Sequence, residues 1–174
     1  MARRIFLHLY LMRVPLPIPE RPEMPAGFEV RPFRHPRDDA AWVEVNNRAF
    51  AGHAEQGGWT VDTLARRIRE EWFDPTLFLC AFDAAGLSGF NWLRMHGDAS
   101  SDPIGEIYVI GVDPRAQGTG LGRALAVEGL ATVFARGAQT GMLFVAAENT
   151  PALGLYRALG FTIDRVDRAY EVEV

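Results

Sequence analysis

The stretch Val112-Asp113-Pro114-Arg115-Ala116-Gln117-Gly118-Thr119-Gly120-Leu121-Gly122-Arg123-Ala124 decides how this chain reads. An apolar run from Glu106 to Val112 stops at Asp113-Pro114, and Gly118, Gly120 and Gly122 then lead into a helical segment from Leu121 to Arg136. A strand that passes through glycines into a helix makes an anion cradle. Glycine lets the backbone turn and approach closely, so successive peptide N–H groups and the positive end of the helix point at one place. A phosphate or pyrophosphate suits such a place. The same glycines would also serve a tight strand-to-helix connection with no ligand, so the other segments must decide.

Other glycine motifs fail on spacing. The dinucleotide fingerprint G-x-G-x-x-G begun at Gly118 needs glycine where Arg123 stands, and begun at Gly120 it needs glycine at Leu125. All 18 basic residues are arginine, which removes the lysine of a Walker loop, a pyridoxal Schiff base or a lysine nucleophile. A hydrolase elbow, G-x-S-x-G, fails at Gly86-Leu87-Ser88-Gly89 because the second glycine comes one position early.

Working outward, 174 residues with 48% hydrophobic content suffice for one domain with a sizeable core. No apolar run nears the roughly 20 residues that span a bilayer. A formal charge of -4 supplies no positive field, so neither nucleic acid nor membrane is an expected partner. The lone Cys80 sits in the apolar run Leu77 to Phe82, which excludes an internal disulfide and points to the core and to a reducing, cytoplasmic setting. His8, His35, His53 and His96 show no ligand spacing, so no metal is expected.

The chain is expected to divide into residues 1–25, a strand followed by a proline-rich arm, and a domain at 26–174. In the arm, Ile5, Leu7, Leu9 and Leu11 alternate with Phe6, His8, Tyr10 and Met12, so both strand faces are largely apolar and need cover. The strand is expected to add to a sheet edge of this chain or of a second copy. Beyond it come a strand at 28–33, a helix at 36–50 and a helix capped by Thr60 that carries Leu64, Ile68 and Trp72 on one face. A hairpin of strands 77–82 and 87–95 follows, then the strand 106–112, the helix from Leu121, a strand at 142–146, a helix at 151–159 and two strands near 161–166 and 169–174. This order implies an α+β fold with a mixed, mostly antiparallel sheet of six or seven strands flanked by about four helices.

Gln117-x-x-Gly120-x-Gly122, preceded by a hydrophobic strand and Val112-Asp113-Pro114, resembles the acetyl-CoA pyrophosphate loop of the GCN5-related N-acetyltransferases, the GNAT family. A second family element is similar at Asn149-Thr150-Pro151-Ala152-Leu153-Gly154-Leu155-Tyr156-Arg157-Ala158-Leu159-Gly160-Phe161. Within the family the chain is most similar to the catalytic C-terminal half of the mycothiol synthases. Asn47-Arg48-Ala49-Phe50, Glu55-Gln56-Gly57-Gly58-Trp59, Trp72-Phe73-Asp74-Pro75, Gly89-Phe90-Asn91-Trp92 and Gly105 to Val112 carry that likeness. Two departures stand out: Asn91 replaces a histidine before the tryptophan, and Ala146 and Glu148 replace a glutamate and an aspartate.

The resemblance implies an N-acetyltransferase that uses acetyl-CoA as cosubstrate and moves the acetyl group directly to a primary amine, such as a cysteinyl amine of a mycothiol precursor. The implied cofactor contacts are Ile110, Gly111, Val112, Gln117, Gly118, Thr119, Gly120, Leu121, Gly122, Arg123, Asn149 and Tyr156. Tyr156 takes the role of general acid toward the departing thiolate, and a backbone N–H near Ile110 that of oxyanion donor. Glu106, a carboxylate on an otherwise apolar strand, suits the base that deprotonates the amine, and it shares a face with Tyr108, Ile110 and Val112 if no bulge intervenes. Glu55, Gln56, Trp59, Asn91, Trp92 and Ala146 are expected around the acceptor. A domain that binds acyl-CoA without turnover is the alternative, and a homodimer joined through the arm is a possible assembly.

Overall fold

A computed structural model describes residues 4–53, 56–97 and 100–173. Its strands are β1 (Arg4–Pro15), β2 (Glu29–Pro32), β3 (Phe78–Asp83), β4 (Gly86–His96), β5 (Ile104–Val112), β6 (Thr140–Ala146) and β7 (Thr162–Glu173). They form one sheet in the order β2-β3-β4-β5-β6-β1-β7. Every neighbouring pair is antiparallel except β5 with β6. The α-helices are α1 (Asp39–Ala49), α2 (Val61–Arg67), α3 (Leu121–Ala135) and α4 (Thr150–Ala158). The mixed α+β sheet expected from the sequence is the one observed.

The two faces of the sheet have different cores. Under α3 and α4 the core is mainly aliphatic and joins Met12, Val14, Leu93, Ile107, Leu130, Val133, Leu143, Val145 and Leu153. On the α1 side Trp42 is fully buried, with Phe78, Phe90, Trp59 and Trp92 arranged around it at centroid distances of 5.0–5.7 Å. These rings meet edge to face, the arrangement their quadrupoles favour, and Trp92 also stacks on Phe78 at 4.2 Å. Cys80 is fully buried here, and burial pushes its thiol pKa up, which keeps it an inert core residue.

Local chemistry sets several element ends. Thr60 caps α2 by accepting from Thr63 N at 3.1 Å, and Thr63 answers with its own hydroxyl. Gly137 and Gly160 follow α3 and α4 with φ of +96° and +97°, the left-handed conformation that ends a helix cheaply only in glycine.

Three boundaries differ from the sequence expectation. Helix α2 stops at Arg67, so Trp72 reaches the core from the following loop, where its ring meets Tyr108 at 4.9 Å. The first helix starts at Asp39 because residues 35–38 form a turn ahead of it. The last two expected strands are one, β7, which runs unbroken from Thr162 to Glu173 with residues 162–166 exposed.

Strand β1 pairs with β6 on one side and β7 on the other. That position answers its doubly apolar pattern: Met12 and Val14 enter the aliphatic core, while Leu11, 2% exposed, is buried on the opposite face. The arm then follows α3. Ile18 packs on the aliphatic core, Glu20 pairs with Arg123 at 2.7 Å, and Met24 and Phe28 pack beside Leu121 and Leu125.

Candidate active site

Strands β5 and β6 pair only at Ile104 with Thr140, Gly105 with Gly141 and Glu106 with Met142. Beyond Glu106 they part, and the backbone of β5 from Tyr108 to Val112 has no strand partner on that side. Unpaired peptide groups inside a sheet need a partner, and an amide-bearing chain such as pantetheine can supply one. The opening ends at the glycine loop. Gln117 to Gly120 are exposed there, and Gly118 and Gly120 adopt φ of +78° and +87°, with Gly120 as the side-chain-free N-cap of α3. The loop fits a pyrophosphate on its peptide N–H groups.

The start of the loop is anchored. Asp113, 2% exposed, accepts from Arg48 Nη2 at 2.6 Å and from the Arg115 N–H at 3.2 Å. Burial works to raise the pKa of this carboxyl, yet these hydrogen bonds hold it below the usual value. Thr119 Oγ1 closes the turn by donating to Ala116 O at 2.6 Å.

Helix α4 packs through Leu153 and Tyr156 on the aliphatic core. Asn149 caps it by accepting from Ala152 N at 3.3 Å, so its capping role is realised. Tyr156 is 6% exposed and packs edge-on to Phe161, and burial lifts its hydroxyl pKa from 10.0 to about 12.

Glu106 stands on the other face, paired across the strands with Arg94. Pairing shifts between Trp92 and Leu93, so Tyr108 is an extra residue in β5. This bulge overturns the simple alternation. Tyr108 stays beside Glu106 among the aromatic residues, whereas Ile110 and Val112 turn to the α3 side. Glu106 is 7% exposed, and His96 Nε2 lies 2.8 Å from its Oε1. Arg67 donates to the Tyr108 hydroxyl at 2.6 Å, and Arg94 lies 4.7 Å from the Trp72 ring centroid. Burial pushes the Tyr108 hydroxyl pKa up, against the pull of Arg67.

The residues expected around the acceptor are placed unequally. Asn91 is fully buried and donates to Leu125 O at 2.8 Å, because its side chain points at α3 and not at an acceptor. Trp92 is also fully buried beneath its stack with Phe78, so neither residue lines a pocket. Trp59 is 9% exposed within the aromatic core. Gln56 donates to Asn46 Oδ1 at 3.0 Å, and Asn47 holds the Trp59 backbone at both N and O, so the loop is fastened to α1. Ala146 is half-buried opposite Leu9 near the open end of β6. Glu55 lies outside the described residues. The sequence reading missed His96, Arg67 and Arg94, although antiparallel register counted from the hairpin would have set Arg94 and His96 on the face of Glu106.

The profile described as Acetyltransferase (GNAT) family matches residues 41–161. The chain belongs to that family. GNAT acetyltransferases use acetyl-CoA, and the open strands and glycine loop of this GNAT domain fit that donor. Over 165 residues, 93% of this chain, it is 50% identical to the mycothiol acetyltransferase of Thermobispora bispora, of which it covers 56%. It is likewise 50% identical over 167 residues to that of Thermomonospora curvata, covering 54%. The chain thus spans about half the length of these relatives. A GNAT enzyme structure from Sphaerobacter thermophilus superimposes over 99% of this chain and 54% of its own, with TM-score 0.76 and 26% identity. No helix among the described residues is long and apolar enough to cross a membrane.

Proposed function

We propose that this GNAT domain transfers the acetyl group of acetyl-CoA directly to the primary amine of a small polyhydroxylated acceptor, with a cysteinyl-glucosaminyl-inositol as the leading candidate. The observation that carries this reading is the opening between β5 and β6, with a buried carboxylate, Glu106, on one face and a buried phenol, Tyr156, on the other. Glu106 accepts the amine proton, a β5 backbone N–H near Ile110 stabilises the oxyanion, and Tyr156 donates to the departing thiolate. With its pKa near 12, Tyr156 carries its proton at every physiological pH. Arg67 and Arg94 supply donors for hydroxyl groups beside the Trp72 and Tyr108 rings, a combination suited to a sugar. The names of the relatives support the candidate, and Asn91 does not weigh against it because its amide serves α3.

Cytoplasmic action accompanies this reading, since acetyl-CoA is an intracellular donor. Residues 1–25 act as an arm that completes the sheet of the domain at 26–174. A homodimer through the arm would require exchange of β1 between copies, because both edges of β1 are paired within the chain. Sedimentation of the intact chain and of one lacking residues 1–13 tests that assembly.

The direct test is release of coenzyme A from acetyl-CoA across a panel containing the pseudodisaccharide, amino acids, aminosugars and peptides. Release with the pseudodisaccharide alone supports the candidate, and release with another amine replaces it. Binding of acetyl-CoA without release for any amine overturns transfer in favour of a cofactor-binding domain.

A further inference from the structure

We infer that His96 is the positioning partner of Glu106 and the outlet for the amine proton. The inference rests on the reading of Glu106 as base. Glu106 is 9% exposed at its side chain, and the hydrogen bond to His96 at 2.8 Å is the contact that fixes it. Its other charged or titratable neighbours do not take that place. Arg94, directly across the strands, lies over Trp72, and Arg67 is engaged with Tyr108. A base that takes a proton in a buried place must pass it on before the next turnover, and His96 is 36% exposed at the end of β4. It touches the carboxylate at one ring nitrogen, and no described residue hydrogen-bonds the other.

The proton balance closes. The acceptor ammonium gives one proton to Glu106 as the nitrogen lone pair becomes available for the thioester carbonyl. Glu106 passes that proton to Nε2 of His96 in its Nδ1–H form, Nδ1 releases one to water, and exchange of the ring proton through solvent restores that form together with the carboxylate. The second proton, lost by the nitrogen as the amide forms, replaces the one Tyr156 gives to the thiolate. No oxidant or further reactant is needed, and His96 never meets the reacting carbon.

The test compares coenzyme A release by the intact chain and by His96→Ala, His96→Gln and Glu106→Gln, using acetyl-CoA and the best amine of the panel. His96→Gln can keep a hydrogen bond to Glu106 but cannot carry a proton. Both His96 variants should lose about ten- to a hundredfold in kcat, less than a whole general base supplies, with KM for acetyl-CoA unchanged. Added imidazole should restore activity to His96→Ala. Wild-type kcat in His96→Gln, or no rescue of His96→Ala, overturns the outlet. Full activity in Glu106→Gln overturns the base assignment beneath it instead, while a dead Glu106→Gln beside fully active His96 variants sinks this inference alone.

Discussion

The two faces of the sheet are built to different rules. Under α3 and α4 the core is aliphatic and close-packed: a Cβ on Gly105 would overlap Val133, and one on Gly129 would meet the amide of Asn91. On the α1 side the core is a cluster of rings that ends at Glu106, His96, Arg67 and Arg94. Aliphatic chains fill space without polar demands and hold α3 rigidly behind the cofactor loop. Large rings leave an irregular border, and their faces take a guanidinium or a sugar, so polar groups can gather there. Rigidity, the glycine loop and Tyr156 thus belong to one face, and in the proposed reading deprotonation of the amine and contact with the acceptor belong to the other.

That division can be broken by variants on either side. Glu106→Gln, on the polar border, should lower kcat by about a hundred- to ten-thousandfold with little change in melting temperature, measured as coenzyme A release and by calorimetry. Tyr156→Phe should lower kcat by roughly ten- to a thousandfold, and an unchanged turnover would remove its acid role. On the aliphatic face, Gly105→Ala should cost about 1–3 kcal/mol in urea unfolding through overpacking against Val133. An unchanged midpoint would show that α3 is loosely held.

Alkaline titration sharpens the same contrast. Because burial raises the folded Tyr156 pKa from 10.0 to about 12, its contribution is fully present below pH 10 and fades as pH climbs from 10 to 12. The unfolded chain loses this proton first, so the wild type should lose up to about 2–3 kcal/mol more than Tyr156→Phe across that interval. The smallest effect is expected from Arg67→Ala, which should raise KM for a hydroxylated acceptor about threefold to tenfold through a lost hydrogen bond while KM for acetyl-CoA holds. A shift in the acetyl-CoA constant instead would place Arg67 on the wrong side of the comparison.

Much of this was legible in the chain. The glycine loop, Asn149 and Tyr156 act through local backbone geometry and fixed helical spacing, so their register survives in the order of residues. The same holds for the helix stops at Gly137 and Gly160, and for burial of Cys80 in an unbroken apolar run. Whether Glu106 was a solvent-facing strand end was a different kind of question, because burial depends on what packs over the strand. One extra residue at Tyr108 reverses which side every later residue of β5 faces, and pairing with β4 alone reveals it. Asn91 shows the same limit from the other direction: beside a tryptophan it suggested an acceptor contact, but it faces α3, where Gly129 leaves it room. The order of residues alone specified the family, the glycine loop and the capped helix that carries Tyr156, since these depend on residues near one another in the chain. Only the tertiary structure brought His96 to Glu106 and set β1 between β6 and β7, because contacts across strands depend on register, which distant residues settle together.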